Sequence, residues 1–411
     1  MNYSELAAQC IARADELAAC TESPGVLKRT FLSEPMKKAH QLVRGYMQAA
    51  GMSVRVDALG NIIGRLPGKG PKIFLTGSHL DTVPDAGKYD GMLGVLIGIA
   101  AAEAIGKDKL DFHFDTIGFS DEEGVRYKMP YLGSLAITGL FKEEYLSRID
   151  ENGVTMADAI KHFGLNPADF KSAAYNFSGV KGFAEVHIEQ GPVLEAQNLA
   201  LGAVTGLVGQ SRVKLFYRGL ASHAGTTPMV GRRDAFAALA ELSVFVEKYA
   251  HSIPHLVATI GMAQVRPGGA NVIPGEVYFS LDIRHGEQAV LDEATSVILA
   301  QAEFIARHRN LRLEIETKEA QAVVKCDAVL VDKMAAAMVR LRSPQVPIHS
   351  QRDFRLTSGA GHDTAILSKV TPTAMLFIRS PGGISHNPVE TVLVEDVAAA
   401  IEVFVEFLKS L

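Results

Sequence analysis

Three apolar runs in the first half of the chain each give way to charged or imidazole side chains. Residues 72–76, 110–120 and 182–191 are short, mostly apolar and bounded by turn or polar residues, which predicts three buried strands. The apolar residues 91–101 follow the first run after a Pro/Gly turn and predict a buried helix. Strand, polar loop and helix in this order are typical of α/β proteins, which bind ligands at the carboxyl ends of strands.

The other elements of this part are predicted from helical periodicity or from strand-like alternation. The predicted helices are 3–19, 34–50, 328–341 and 392–408, and the predicted strands are 52–57, 61–66, 346–349 and 373–379. Residues 140–174 are polar with a helical pattern, which predicts helices on the surface. A glycine-rich turn at 357–363 is expected to precede another helix.

From residue 211 the pattern changes to two strand–helix–strand groups. The predicted strands are 211–218, 256–265, 271–284 and 311–317, and the predicted helices are 231–250 and 286–307. Such groups build a compact α+β unit of ferredoxin-like type. We therefore predict a catalytic domain in two parts, residues 1–211 and 327–411, interrupted by an inserted domain at 212–326. The fold class is α/β, with a mixed, mostly parallel sheet flanked by helices.

Composition excludes several classes of protein. The 411 residues carry a net charge of −5 with no tryptophan and no basic block, so neither nucleic acid nor an anionic membrane is an expected partner. The longest apolar run, 91–106, is too short and too glycine-rich to span a bilayer, and the first residues lack a secretory signal pattern. Cys10, Cys20 and Cys326 form no C-x-x-C pair, which favours reduced thiols in a cytoplasmic protein.

Candidate chemistry stands at the ends of the predicted strands. His79 and Asp81 follow the first run and share one face if the strand continues through them, which suits an imidazole oriented by a carboxylate. Glu122 and Glu123 follow the second run and would point to opposite sides of an extended chain. The third run carries His187, with Glu189 on the same face as a second possible pair of this kind.

Each of these groups alone has an ordinary explanation, because polar turns and solvated acidic loops are common. Together they offer three imidazoles and two carboxylates, namely His79, Asp90, Glu123, His187 and His386. Imidazole and carboxylate without thiolate suit Zn²⁺, Mn²⁺, Co²⁺ or Ni²⁺. Five groups are too many for one catalytic ion, but they fit two divalent ions about 3.5–4 Å apart with a shared carboxylate and a bridging water. Glu122 is left over and can act as the general base.

Seven blocks of sequence carry a resemblance to a known family. They are Gly-Ser-His-Leu-Asp-Thr-Val at 77–83, Tyr-Asp-Gly at 89–91, Asp-Glu-Glu-Gly at 121–124, His-Ile-Glu-Gln-Gly-Pro-Val-Leu-Glu at 187–195, Ser-His-Ala-Gly-Thr-Thr-Pro-Met at 222–229 with Arg-Arg-Asp at 232–234, Ser-Gly-Ala-Gly-His-Asp at 358–363, and Gly-Ile-Ser-His-Asn-Pro at 383–388. The chain resembles the hydantoinase/carbamoylase amidases, a branch of the dinuclear metallopeptidase and acylase superfamily. This branch includes N-carbamoyl-L-amino acid hydrolases, allantoate and ureidoglycolate amidohydrolases, and β-ureidopropionases.

The resemblance implies a role for each matching residue. His79 and His187 would bind one metal ion, Glu123 and His386 the other, and Asp90 would bridge the two. Glu122 would be the general base and Asp81 the partner of His79. His223 would reach the site of a neighbouring subunit and stabilise the oxyanion, because the inserted domain is a lid that also forms the homodimer. The substrate, a ureido or carbamoyl compound with a carboxylate, would contact Gln210, Arg212, Asn271, Arg284, Gly359 and Ala360.

The expected reaction is hydrolysis of the carbamoyl C–N bond of an N-carbamoyl-L-amino acid or allantoate-like substrate, with release of ammonia and carbon dioxide by a metal-bridging hydroxide. A dinuclear aminoacylase or dipeptidase is the alternative, and a binding protein that has lost the chemistry is a third. From the residues alone, His223 also suits a helix-entry turn and Arg284 a surface ion pair. His362 with Asp363 could support the metal ligands or cap a helix, and the helix cap is favoured. Residues 85–88 and 125–130 depart from the family pattern, which leaves the identity of the substrate open.

Overall fold

The computed structural model describes residues 2–341 and 352–411. The chain forms two compact units, one combining the residues up to Thr205 with those from Lys325 onward, the other spanning Gly206–Val324. The predicted inserted domain, 212–326, starts later than the second unit because a strand of that unit already begins at Gly209. The predicted strand at 346–349 lies outside the described residues.

The strands are β1 (Ser53–Val56), β2 (Ile62–Leu66), β3 (Ile73–His79), β4 (His113–Phe119), β5 (Val180–Ile188), β6 (Leu201–Leu207), β7 (Gly209–Arg218), β8 (Ser222–His223), β9 (Val257–Arg266), β10 (Val272–Ile273), β11 (Glu276–His285), β12 (Arg312–Gln321), β13 (Val324–Lys325), β14 (Arg355–Ser358) and β15 (Thr373–Ile378). The α-helices are α1 (Tyr3–Ala18), α2 (Glu34–Ala49), α3 (Met92–Ile105), α4 (Leu132–Ile137), α5 (Met156–Phe163), α6 (Val193–Ala196), α7 (Ala235–Ser252), α8 (Gln288–His308), α9 (Ala328–Val339), α10 (Thr364–Leu367) and α11 (Val394–Lys409).

The large sheet of the first unit has the strand order β1-β2-β4-β3-β5-β15-β6, and β14 also pairs with β6. Its four central strands run parallel, since β3 pairs in parallel with β4 and β5, and β5 with β15. Antiparallel strands complete both sides. This mixed, mostly parallel sheet confirms the predicted fold class, and it brings the carboxyl ends of the four central strands to one edge.

Helix α3 is buried on almost every side, between this sheet and helices α1 and α11, which explains why its sequence is apolar throughout. Gly94 lies so close to β5 that a Cβ there would be 2.1 Å from the carbonyl oxygen of Val186. This close approach sets the start of α3 against the strand edge. In the described part of the chain, no helix combines the length and the apolarity needed to cross a membrane.

Residues 140–174 lie mostly at the surface, as predicted, but one side of the segment is buried. Phe141, Met156, Ile160 and Phe170 are buried in a hydrophobic cluster that also includes residues of α4. Only α5 is α-helical in this segment, and two short 3-10 helices flank it. The apolar positions of α5 fall on one face and cover this cluster, so an amphipathic pattern that looked polar overall was sufficient for burial. Strand β6 was not predicted, because Gly202 and Gly206 interrupt its apolar pattern.

The second unit is an antiparallel sheet with the order β12-β7-β11-β9, packed on α7 and α8. Its chain order is strand, helix, strand, strand, helix, strand, which is the ferredoxin-like arrangement. Strand β9 forms one edge of this sheet, and the short strands β8 and β10 pair separately.

Candidate metal centre

Five of the predicted residues meet at the carboxyl edge of the parallel strands. They are His79 at the end of β3, Asp90 just before α3, Glu123 after β4, His187 in β5 and His386 after β15. Parallel pairing explains the convergence, because strands far apart in sequence end at the same edge. The structure thus places residues separated by some three hundred positions around one point.

Asp90 is the centre of this cluster. Its Oδ1 lies 3.5 Å from His79 Nε2 and 3.2 Å from His187 Nε2. Its Oδ2 lies 3.2 Å from His386 Nε2, which is in turn 3.4 Å from Glu123 Oε1. The carboxylate therefore faces two groups of side chains, one with each oxygen.

The tautomers of two imidazoles follow from their backbone partners. His79 Nδ1 lies 2.9 Å from the carbonyl oxygen of Asp81, and His187 Nδ1 lies 2.8 Å from that of Ile188. A carbonyl only accepts, so each Nδ1 must carry the proton. The neutral rings then point the lone pair of Nε2 at Asp90, which is itself an acceptor. Two acceptors facing each other require a cation or an added proton between them.

The pKa shifts in the cluster agree with this requirement. Burial opposes protonation of His79, but the carboxylates of Asp81 and Asp90 raise the pKa of its imidazole well above the usual value. Hydrogen bonding to Asp90 and then to Glu123 raises the pKa of His386 to about 10. Burial disfavours the charged form of Asp90, yet the three imidazoles hold its pKa well below the usual value. The site is built for positive charge beside Asp90.

Asp81 organises the acidic loop after β4. Its carboxylate accepts the backbone N–H groups of Glu122 at 2.9 Å and of Glu123 at 3.1 Å. The carboxylate lies 3.5 Å from His79 Nδ1, so the nearer partner of that nitrogen is the backbone carbonyl of Asp81. Asp81 therefore orients the imidazole chiefly through its main chain and the two glutamates through its side chain.

The prediction that Glu122 and Glu123 point to opposite sides is wrong. Their carboxylates and a ring nitrogen of His79 all lie within 4.8 Å of one another. Strand β4 ends at Phe119, so the chain is no longer extended at the acid pair. The two hydrogen bonds to Asp81 curl this loop and bring both side chains to the same side.

Glu122 is buried beside the cluster. Burial raises the pKa of its carboxyl well above the usual value, and the positive charge of His79 opposes the rise. A Cβ added at Gly361 would lie 2.1 Å from the Tyr131 hydroxyl and 3.9 Å from Glu122 Oε1. The loop that contains Gly359 and Ala360 therefore passes beside Glu122, where the absence of a side chain at Gly361 leaves room.

Donor atoms in this cluster fit divalent metal ions. Two groups of ligand atoms lie within metal-binding reach, His79 with Asp90 and His187, and Asp90 with Glu123 and His386. Asp90 Oδ1 and His187 Nε2 are buried without a hydrogen-bond partner, which is the state expected of atoms that bind an ion. Imidazole and carboxylate ligands suit first-row divalent cations.

A further group, Glu185 with His187 and His362, is also close enough for an ion. The Glu185 carboxylate already accepts Ser78 Oγ at 3.0 Å, and it accepts the N–H and hydroxyl of Thr364 at 3.1 and 2.7 Å. A metal ion would have to displace three hydrogen bonds, so this group is structural.

Two expectations for nearby residues are wrong. Glu189 does not orient His187, because its carboxylate accepts the backbone N–H groups of Val193 and Leu194 at the start of α6. Asp363 precedes α10 but makes no side-chain capping bond to it. His362 is buried against the His187 ring, with 4.5 Å between the ring centroids, and its Nε2 lies 2.9 Å from Ser358 Oγ.

In the second unit, three predicted substrate residues gather around Asp282, which sequence reasoning did not identify. Arg284 donates from Nε at 2.8 Å and from Nη2 at 3.0 Å to the two Asp282 oxygens. Gln210 Nε2 donates at 2.7 Å and Arg212 Nε at 3.1 Å to the same carboxylate. These contacts, led by Arg284 and Gln210, lower the pKa of Asp282 to about 2 against the effect of its burial. Two guanidinium groups around one carboxylate leave one net positive charge.

His223 and Asn271 lie elsewhere in this unit. His223 Nδ1 accepts the N–H groups of Gly225 and Thr226 at 3.1 and 3.2 Å, so the proton of the neutral ring is on Nε2. Ala224 N–H donates to the carbonyl oxygen of Asn271 at 2.8 Å, which holds the two loops together. The helix-entry reading of this segment is wrong, because α7 begins only at Ala235.

Sequence reasoning missed several residues that touch the cluster. Gln190 Nε2 donates to Asp90 Oδ2 at 3.0 Å, and Ser385 Oγ lies 3.2 Å from the same oxygen. Glu390 accepts the backbone N–H groups of Tyr89 and Asp90. Their only signal is proximity in sequence to His187 or His386, which does not distinguish a ligand contact from ordinary loop structure.

A buried arginine anchors the loop that follows β3. Arg29 has no exposed surface, and its Nε donates to the carbonyl oxygen of Leu80 at 2.8 Å. Its Nη1 donates to the carbonyl oxygens of Leu17 and Cys20 at 2.6 and 2.9 Å. The segment after α1 is thereby fastened to the residues between His79 and Asp81.

Comparison with known proteins agrees with this geometry. Residues 75–410 match the profile of peptidase family M20/M25/M40. The chain is 40% identical to an N-carbamoyl-L-amino acid amidohydrolase from Geobacillus stearothermophilus, over 93% of this chain and 92% of that protein. It is 37% identical to an allantoate deiminase from Arabidopsis thaliana, over 98% of this chain and 82% of that protein.

A solved structure is also similar over nearly the whole chain. The amidase of the hydantoinase/carbamoylase family from Burkholderia multivorans superposes with a TM-score of 0.89 at 30% sequence identity, covering 98% of this chain and 97% of its own.

Proposed function

This chain belongs to peptidase family M20/M25/M40, in its hydantoinase/carbamoylase branch, and from that premise we propose that it is a metal-dependent amidohydrolase. The bond cleaved is a C–N bond other than a peptide bond, in the ureido group of an N-carbamoyl-L-amino acid or an allantoate-like substrate. Relatives with names of both kinds match over more than nine-tenths of the chain, which supports this substrate class.

One observation supports the metal centre above the others. The backbone carbonyls of Asp81 and Ile188 fix the tautomers of His79 and His187, so two imidazole lone pairs face Asp90 Oδ1. This arrangement is stabilised by a cation between the acceptors. We assign His79 and His187 to one ion, Glu123 and His386 to a second, and Asp90 to both.

Two divalent ions drawn from Zn²⁺, Mn²⁺, Co²⁺ and Ni²⁺ suit these donors. When bound, such a pair polarises the substrate carbonyl and lowers the pKa of water toward neutrality.

Glu122 is the proposed general base. It takes a proton from the water that attacks the carbamoyl carbon, and it later gives a proton to the nitrogen that leaves. Burial favours the protonated form of Glu122, which helps it to hold the proton between the two steps. Cleavage of the C–N bond releases the amine and carbamic acid, which then decomposes to ammonia and carbon dioxide.

The cluster around Asp282 is the proposed site for the substrate carboxylate. Arg284 and Arg212 together with Asp282 keep one net positive charge, and Gln210 fixes the orientation of Asp282. A guanidinium held on one side by a carboxylate is pre-organised to bind a second carboxylate. Asn271 and the backbone at Gly359 and Ala360 are assigned to the ureido end.

His223 is the proposed oxyanion donor, because its Nε2 carries the proton in the neutral ring. We propose that it serves the site of a second copy of the chain. Strand β9 is an edge strand, and a groove of about 690 Å³ between it and α7 is lined mostly by apolar residues. Phe236, Val244 and Val257 are exposed there. Antiparallel pairing of β9 with the same strand of a second copy, around a two-fold axis, would provide hydrogen-bond partners for the backbone groups of this edge.

An ammonia-release assay tests the function. N-carbamoyl-L-amino acids, allantoate, ureidoglycolate and β-ureidopropionate should be compared with dipeptides and N-acetyl amino acids, after loading with each of the four metals. We expect turnover of at least one ureido compound and none of the amides. Turnover confined to dipeptides or N-acetyl amino acids would refute the proposal in favour of a peptidase or acylase.

A further inference from the structure

We propose that Glu390 is a positioning residue that fixes the bridging carboxylate of Asp90 relative to His386. Its Oε1 accepts the backbone N–H groups of Tyr89 at 3.0 Å and Asp90 at 3.1 Å. Its Oε2 accepts the hydroxyl of Ser385 at 2.9 Å. One buried carboxylate therefore joins the residues adjoining two metal ligands that lie some three hundred positions apart in sequence. This inference rests on the proposed metal centre.

Gln190 also takes part in the hydrogen bonds around Glu390. Gln190 Nε2 has two protons and donates to Asp90 Oδ2 at 3.0 Å and to Ser385 Oγ at 3.3 Å. The single proton of Ser385 faces two carboxylates, Glu390 Oε2 at 2.9 Å and Asp90 Oδ2 at 3.2 Å, and the shorter distance favours Glu390. The network thus orders Asp90 Oδ2, the oxygen that faces His386.

The backbone at His386 explains why this loop needs fixing. His386 has φ of 53°, in the left-handed region that residues other than glycine rarely adopt. Such a conformation persists only where the surroundings determine it. Glu390 supplies that restraint from both sides, since its N–H donates to the carbonyl oxygen of Asn387 at 3.0 Å while its side chain binds Ser385.

The loop before Asp90 is fitted to the same side chain. A Cβ at Gly87 would lie 2.3 Å from Glu390 Oε1, so only glycine allows this approach. Glu390 is 4% exposed, and its oxygens accept two backbone N–H groups and the Ser385 hydroxyl. Its role is to hold the two loops, and it does not act as a ligand.

The test measures metal affinity in Glu390→Ala, Glu390→Gln and Ser385→Ala by competition of Zn²⁺ between the protein and a chromophoric chelator. Residues that orient ligands typically contribute roughly 10–100-fold to metal affinity. We expect Glu390→Ala to lower the affinity for the more weakly bound of the two ions by about this factor, and to leave the affinity for the tighter ion unchanged. Ser385→Ala keeps Glu390 and its backbone contacts, so it should lower the affinity for the same ion by a smaller factor. This variant tests the proposal if Glu390→Ala does not fold.

Glu390→Gln is the conservative rescue. Its amide oxygen can accept the N–H groups of Tyr89 and Asp90, and its NH₂ can donate to Ser385, whose proton then turns to Asp90 Oδ2. We therefore expect near wild-type affinity for both ions. A loss as large as that in Glu390→Ala would overturn positioning by hydrogen bonds.

Glu189→Ala is the matched control. Glu189 is also a buried carboxylate that accepts two backbone N–H groups, but these belong to Val193 and Leu194 at the start of α6. This variant should lose thermal stability and keep both affinities. The inference is overturned if Glu390→Ala and Ser385→Ala bind both ions as the wild type does, or if Glu189→Ala loses the same ion. Wild-type protein that binds two ions but hydrolyses no ureido compound would refute the proposed function alone, because the affinities report on Glu390 without turnover.

Discussion

Replacing Glu122 with glutamine separates proton transfer from metal binding. The two side chains have nearly the same shape, and the backbone contacts at this position do not depend on the carboxylate: Glu122 N–H donates to Asp81, and its carbonyl accepts from Tyr131. We therefore expect Glu122→Gln to fold normally and to bind two ions. Only the proton acceptor is removed.

The size of the effect follows from the lack of a substitute. Asp81 already accepts two backbone N–H groups, and Glu123 lies 3.4 Å from His386. General bases contribute about 100- to 10,000-fold. With Asp81 and Glu123 engaged, kcat should fall by about 1,000-fold or more, equivalent to roughly 4 kcal/mol of transition-state stabilisation.

The pH profile provides a second reading. Glu122 must be ionised to act as a base, and burial raises its pKa above the ordinary value near 4.5. Activity of the wild type should fall as the pH decreases through this raised pKa, and Glu122→Gln should lack that acidic limb. The assays are ammonia release across pH and metal content by elemental analysis. Glu123→Gln is the matched control, because it should lose metal as well as activity. Glu122→Gln activity within tenfold of wild type, with two ions bound, would refute the role of Glu122.

Three further outcomes are expected. Removal of metal with a chelator should abolish turnover and make the stability of the protein depend on pH. The pKa of His386 is about 10 in the folded protein, against 6.5 ordinarily. Protonated His386 therefore stabilises the metal-free protein fully below pH 6.5, and this contribution is lost as the pH rises toward 10. Thermal melts of metal-free protein should therefore decline over that range, and a flat profile would contradict the assignment. His223→Ala should lower kcat by about 100- to 1,000-fold. Mixing this variant with Glu122→Gln should restore up to about a quarter of wild-type activity by subunit exchange in a symmetric dimer. No restoration at equilibrium would place His223 in its own subunit's site or outside catalysis. Arg284→Lys should raise KM by about tenfold with little change in kcat, because a lysine cannot keep the two-point contact with Asp282 and also bind the substrate carboxylate. Steady-state kinetics that show a fall in kcat alone would contradict this role.

The location of the site is predictable from sequence, and its detailed contacts are not. Buried runs that end in histidine or acidic residues are visible as patterns, and parallel pairing carries those ends to one edge of the sheet. This is why His79, Glu123 and His187 could be expected together. The orientation of Glu122 relative to Glu123 was predicted wrongly, because the alternation rule applies only to extended chain and β4 ends before the pair.

Long-range hydrogen bonds account for the residues that were missed. Glu390 reaches Tyr89, and Asp282 collects side chains from a neighbouring strand, but neither contact leaves a periodic signal in the sequence. The same limit applies to Phe141 and Phe170, whose burial depends on the folding of one irregular segment on itself. Hydrophobic patterns in the sequence indicate which face of a helix or strand is buried, whereas these contacts depend on which loops come together in the fold.

The fixed tautomers of His79 and His187 have an energetic consequence for the whole site. In the neutral form, each ring has one N–H group, which donates to a backbone carbonyl, so neither ring can donate to Asp90 without becoming charged. Without ions the cluster must either take up protons, against the burial of these rings, or leave Asp90 Oδ1 and His187 Nε2 unpaired. The carboxylates raise the pKa of His79 and of His187, so the cluster takes up protons without ions, and bound cations would replace these protons. Because main-chain contacts fix the orientation of both rings, His79 and His187 already direct Nε2 at the same point. Rigid strands and fixed tautomers therefore favour a pre-organised metal centre, and they make ligand geometry depend on distant contacts such as those of Glu390.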